Sequence, residues 1–352
     1  MIDFRYHLVS IVAVFLALAI GIVVGSTALK PAVLTGLQKT ASAEKGRIDA
    51  LFAKNAQLNN QLKAAESYAQ SGEHLALGGL LDGQRVVLVT APGFPGSVVT
   101  GVSSALTLAG ATVTGEVQLQ SQFFTAGTQS DLDTLNRQQT PAGVTLRNGT
   151  QQAQAAELIA SAILTKNGPT QPPAGVADAT GKAILNGYAA GGFLSISGNP
   201  AVRATLAVVI IPAAPPATSS SSSESQTLVT VAQQLNLAGQ ATVVAGQLSG
   251  SGAGSAIDVM RSGGLSDHFS SVDNADTVIG QIVTAQALYE QMTAGKSGSY
   301  GALTSASAAG PSPAPTPSPS TTATATAKQS SGPKHASKRS AQPDASASAS
   351  AP

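Results

Sequence analysis

The histidines, a few carboxylates and the glycine-rich turns are where this sequence could do chemistry. Asp267-His268, followed by Asp273 and Asp276, sets an imidazole near carboxylates, the residue types an acid–base pair needs. Asp and Asn in such a loop usually make turns or cap helices. Asp276 is placed to cap a helix beginning near Thr277, and His74 stands apart, so no catalytic residue is assigned. Gly93 and Gly96 lie between a candidate strand and a candidate helix, where a phosphate-binding loop would sit. The run Ala91-Pro-Gly-Phe-Pro-Gly96 departs from G-x-G-x-x-G, and Gly250, Gly252 and Gly254 alternate in a Ser/Gly loop. These read as turn glycines, and no cofactor is expected. Soft metal sites want Cys, Met and His. The chain offers Met1, Met260, Met292, His7, His74, His268 and His335, none at ligand spacing, so no metal site is expected within one chain. His7, at the edge of an apolar run, is the one imidazole that a dimer would bring beside its copy.

The elements that must carry these residues alternate. Arg85–Thr90 is a short apolar strand, Val98–Ala109 a helix with Ser97 as its candidate cap, and 111–119 a strand of alternating polarity. Leu206–Ile211, Gln226–Leu237 and Ala241–Ala245 repeat the strand–helix–strand pattern, with further helices at Gln152–Leu164, Gly181–Ala190 and Val278–Met292. Such alternation predicts an α/β fold, a Rossmann-like parallel sheet covered on both faces, over residues 80–303. Its core is built from small aliphatics, because aromatics make up 4% of the 352 residues and Trp is absent. Zero Cys excludes disulfides, iron–sulfur clusters, thiolate zinc sites and cysteine nucleophiles. A formal net charge of +1 argues against nucleic acid as a partner.

Leu8–Leu29 contains no charged residue and as a helix would span roughly 33 Å, enough for a bilayer core of about 30 Å. Residues 1–30 therefore read as a transmembrane helix. A cleaved signal peptide is the alternative, since Ser26-Thr27-Ala28 offers small residues at cleavage spacing. Counting Lys30, Lys39, Lys45 and Arg47 against Arg5 would hold the carboxyl side in the cytoplasm. Large domains translocate regardless of such counts, and the tail has the composition of an exported segment. The amino terminus is accordingly expected inside and the domain outside, in a single-pass cell-membrane protein.

Residues 31–72 carry a heptad. Leu34, Ala41, Ile48, Asn55, Leu62 and Ala69 fall at a positions, and Leu37, Glu44, Leu51, Leu58 and Ala65 at d positions. A stripe with this spacing is buried by pairing with a second helix, and Asn at a favours a parallel, in-register pair. Ile48, Leu51, Asn55, Leu58 and Leu62 form the firmest part of the expected coiled-coil interface of a homodimer. An amphipathic helix folded back on its own domain would use the same stripe. Residues 304–352, dominated by Pro, Ser, Ala and Thr, read as a disordered tail, either a wall-spanning stalk or a plain solvated extension. The serine run at 218–225 reads as a smaller loop of that kind.

Four segments together resemble a known family. They are Met1–Ser10 running into Phe15–Gly25, the heptad segment, Ala109–Gly115, and Ser271–Asp276 with the late Tyr300-Gly301. The resemblance is to the actinobacterial family named for mycobacterial copper transport protein B, over nearly the whole chain to about residue 303. It implies a membrane protein of copper homeostasis or efflux, described for the family as an outer-membrane channel. Relatives are also linked to cell separation, as membrane partners of a division protein and of peptidoglycan hydrolases. It carries across no catalytic or ligand residue. A barrel needs many strands of about ten residues with alternating polarity, whereas these residues read as one apolar helix, a heptad and β–α units.

Overall fold

The computed structural model describes residues 4–167, 173–212, 219–250 and 253–315. Helix α1 runs from Phe4 to Leu77, 74 residues, about 110 Å at 1.5 Å per residue. It passes through Pro31 without a break, so the apolar run and the heptad share one helix. Arg5–Ser26 is long and apolar enough to cross a membrane, and none of the described residues covers it. Of the heptad side chains, Ile48, Leu51, Leu58 and Leu62 are 50–67% exposed. The helix therefore does not fold back on its own domain through this stripe. It joins the domain at its last turn and the loop that follows, where Leu77, Leu80 and Leu81 are buried.

The domain is built on β1 (Arg85–Thr90), α2 (Gly96–Leu108), β2 (Thr112–Leu119), α3 (Gln129–Gln139), α4 (Gln151–Ile163), α5 (Ala179–Ala190), β3 (Leu194–Gly198), β4 (Leu206–Ile210), α6 (Ser219–Ala238), β5 (Ala241–Ala245), α7 (Ala256–Ser262), β6 (Ser270–Val272), α8 (Val278–Ala294) and β7 (Ser299–Tyr300). The seven strands form one sheet in the order β3-β2-β1-β4-β5-β6-β7. Every pairing is parallel except β2–β3. The all-parallel expectation thus misses one antiparallel edge strand. Successive side chains on a strand point to opposite faces. Val87, Val89, Ala207, Val209 and Val244 therefore pack under α4 and α6, while Val86, Leu88, Val208, Ile210 and Val243 pack under α2 and α8. Burial on both faces is what makes these strands read as continuous apolar runs.

Local details depart from expectation for definable reasons. Pro95, not Ser97, stands at the N-cap of α2, without a side-chain hydrogen bond. Ser97 lies inside the helix, two residues too late to cap it. At α8 the Thr277 hydroxyl accepts from the Gly280 amide at 3.1 Å, while Asp276 accepts from the Leu248 amide at 3.3 Å and ties two loops. The serine run, expected as a loop, forms the first turns of α6 from Ser219. Ser is only moderately poor in helices, and the apolar positions of Leu228, Val231, Ala232 and Leu235, all buried, impose the helix. At the other end the fold continues past 303. The Ser307 amide donates to the Ser299 carbonyl at 2.7 Å, and that of Gly301 to Ala308 at 3.0 Å. The composition-based tail from 316 onward lies outside the described residues.

Candidate functional site

The residues singled out for acid–base chemistry are brought into structural roles. Asp273 is fully buried and pairs with Arg261 at 2.9 Å. Its Oδ1 also accepts from the Ala302 amide at 2.7 Å, while Arg261 Nη2 donates to the Tyr300 carbonyl at 2.8 Å. This cluster clamps the segment after β7 onto β6. His268 takes part through its carbonyl, which accepts from Asn236 at 3.1 Å and Gln291 at 3.3 Å. His74 lies at the end of α1, against Gly78. Tyr300 donates to Glu290, and burial with that carboxylate pushes the phenol well above its ordinary range.

The switch point of the sheet, between the carboxyl ends of β1 and β4, is where ligands bind in nucleotide-binding relatives of this architecture. Gly93 there has a φ of +76°, as a turn glycine does. Thr90 Oγ1 donates to Glu116 at 2.9 Å, so a carboxylate stands beside the end of β1, unfavourable for a phosphate. Gly250 ends the short helical turn Leu248–Gly250, Gly252 lies outside the described residues, and Gly254 (φ +79°) is a turn. A Gly-Lys-Ser triplet at Gly295–Ser297 follows α8 rather than opening a helix, the wrong context for a phosphate loop. Among the described residues no group of three or more His, Cys, Asp or Glu could hold a metal ion. Met260 is buried in the core on the α4–α6 face of the sheet, and Met292 packs against the core on the opposite, α2–α8 face. Met1 and His335 lie outside the described residues.

A site that sequence reasoning missed lies on the α4–α5–α6 face, at the amino-terminal end of β4. A cavity of about 360 Å³ is lined by Val144, Arg147, Glu157, Leu164, Arg203 and Leu237 among others. Arg203, 8% exposed, donates through Nε to the Ser161 carbonyl at 3.0 Å and through Nη2 to Asp178 Oδ2 at 2.5 Å. Asp178 is itself the N-cap of α5, accepting from the Thr180 and Gly181 amides. The third arm, Nη1, is buried without a hydrogen-bond partner among the described residues. Nearer the surface, the Arg147 guanidinium lies 3.7 Å from Glu157 and donates to Gln234 Oε1 at 3.1 Å. The available signal was an arginine three residues before a fully apolar strand, where a charge must be buried and paired.

The sequence comparisons bear on the whole chain. The family described as "Copper transport outer membrane protein, MctB" matches residues 1–311. The chain belongs to this family. "Copper transporter MctB" of Mycobacterium tuberculosis (strain ATCC 25618 / H37Rv) is 28% identical over 306 residues, covering 86% of this chain and 96% of the relative. The Mycobacterium leprae protein of the same name is 30% identical over 309 residues, with the same coverage. In this member of the MctB family, the described strands form an open sheet with edges at β3 and β7, and among the described residues the one span-length apolar helix is the start of α1. The expected interface residues Ile48, Leu51, Asn55, Leu58 and Leu62 lie on α1 beyond that span, exposed along it. Asn55 Oδ1 accepts from Asn59 at 2.9 Å within the helix.

Proposed function

We propose that this chain is a single-pass envelope protein whose first 22 helical residues from Arg5 cross the cell membrane, amino terminus inside and domain outside. Two copies pair through α1, and the protein acts as a non-catalytic scaffold or regulator in copper homeostasis or efflux. The copper connection comes from the relatives, named copper transporters. The observation that carries the architecture is the seam Ile48, Leu51, Leu58 and Leu62, left at least half exposed on a helix continuous with the membrane segment. A helix that long does not hold an apolar stripe in water alone; a second helix in register covers it. Ala13, Ala17, Gly21 and Gly25 follow one another at four-residue spacing within the span, which lets two membrane helices approach closely.

A second reading is regulation of cell separation, with the stalk engaging a division protein and a peptidoglycan hydrolase. It is favoured by Phe52, Tyr68 and Leu75, 71–82% exposed at the flanking e and g positions, which stay outside a closed two-stranded seam. A channel is the least supported alternative. One deletion strain scored for copper tolerance and for chained, unseparated cells tests both readings. Copper sensitivity with normal separation supports the first, and chaining at normal copper tolerance supports the second. Ion conductance of the purified chain in planar bilayers would overturn both in favour of a channel.

A further inference from the structure

We infer that the outer edge of β3, with the groove between it and α5, docks an extended segment of a partner protein that carries an acidic residue and adds to the sheet as a further strand. This goes beyond the paired-stalk reading and stands without it. The two edges of the sheet are unlike. At β7 the segment at 307–308 closes the edge, with the Ser307 amide on the Ser299 carbonyl at 2.7 Å and Ala308 bridged to Tyr300. At β3 the Gln120 amide donates to the Phe193 carbonyl and the Asn199 amide to the Thr114 carbonyl, both at 2.9 Å. Opposed residues of an antiparallel ladder alternate between bonded and non-bonded pairs. Ser195 and Ser197 therefore turn their backbone groups to β2, and Leu194 and Ile196 turn theirs outward. Among the described residues nothing bonds the outward amide and carbonyl of Ile196. The strand, LSISG, has no Lys, Pro or other device by which natural edges refuse a further strand.

The groove supplies the side-chain selection that such docking needs. A cavity of about 360 Å³ is lined by Lys182, Leu185 and Asn186 of α5 and by Ile196, Gly198 and Asn199 at the end of β3. Gly198 is exposed and has no side chain, so it reaches the groove through its backbone. Ile196 packs toward the core on the α5 side. Alternate side chains of an added strand therefore fall into the groove and the rest into solvent. Leu185 and Ile196 suit a small aliphatic side chain. Lys182 is exposed and is the one charged residue lining the groove. The carboxylate one turn before it, Asp178, is already held by Arg203 at 2.5 Å. An acid two residues from the aliphatic side chain lies on the same face of the added strand and meets Lys182. A second copy of β3 brings no acid to Lys182, so the occupant is a segment of a different protein.

The test uses the full chain in detergent and the probe peptide Thr-Val-Thr-Asp-Thr-Val-Thr, fluorescently labelled at its amino end and amidated at the other, beside the same peptide with Lys in place of Asp. Anisotropy is expected to show saturable 1:1 binding of the acidic peptide, at least tenfold weaker for the lysine peptide. Lys182→Glu, a change at an exposed helical position, is expected to reverse that preference. Hydrogen exchange read at single amides by NMR is expected to slow at least tenfold at Ile196 when the acidic peptide binds. The Ser195 and Ser197 amides, already bonded to β2, should stay unchanged. No saturable binding, equal binding of the two peptides, or binding that leaves the Ile196 amide as it was overturns the inference. So does an Ile196 amide whose protection in the free chain rises with protein concentration, which would assign the edge to a second copy.

Discussion

Truncating Leu58 to Ala tests the paired stalk at its firmest point. In one chain Leu58 is 54% exposed, so the substitution removes nothing the isolated helix relies on and leaves the domain untouched. In a closed seam a buried Leu→Ala change costs at least about 2 kcal/mol. Both copies carry the change, so the pair loses about 4 kcal/mol, roughly a thousandfold in dissociation constant. The chain contains no cysteine, so a single Ala65→Cys at a d position reports pairing by disulfide formation, and Lys63→Cys on the outer face serves as control. Oxidised in lipid nanodiscs over a dilution series, Ala65→Cys is expected to cross-link readily and Lys63→Cys poorly. Adding Leu58→Ala should shift the Ala65→Cys curve by two to three decades in concentration. Equal cross-linking at the two positions, or no shift, would refute the reasoning.

Other expectations concern the domain. Asp273→Asn leaves the Arg261 guanidinium, whose side chain is 5% exposed, without its countercharge. The loss is about 3–5 kcal/mol, a fall in melting temperature of roughly 10 °C by circular dichroism. Gly280→Ala puts a Cβ against the Asn274 backbone; despite alanine's better helix propensity it should destabilise by about 1–3 kcal/mol in urea unfolding. Burial raises the Glu224 carboxyl above its ordinary value, so the folded chain keeps that proton to higher pH than the unfolded one. Charged Glu224 therefore costs stability at neutral pH. Glu224→Gln should raise the melting temperature at pH 7, and the gain should shrink as pH falls through the raised value and vanish below about 4.3.

The sequence made most of the central sheet legible. Arg85–Thr90 and Ala241–Ala245 begin and end where expected, because strands buried on both faces advertise themselves as unbroken apolar runs. Strand β3 escaped notice because its five residues, LSISG, offer only Leu194 and the partly buried Ile196 as apolar positions, too few to show a period. Strands β6 and β7 are too short to show a period, at three and two residues; their place is fixed by Asp273 and Arg261, a pairing set by tertiary contact. The heptad was legible because 3.5-residue spacing is local. The cavity was not. Arg147, Asp178 and Arg203 come from separate segments, and no local pattern tells that Arg203 is held on two arms with the third buried unpaired among the described residues.

The number of chains per membrane-inserted particle tests the central claim most directly. Full-length chains carrying one fluorophore at an introduced surface cysteine, reconstituted in lipid nanodiscs at saturating labelling, are expected to bleach in two steps. A single step at all protein concentrations, or a larger ring accompanied by ion conductance, would contradict a paired, membrane-anchored stalk.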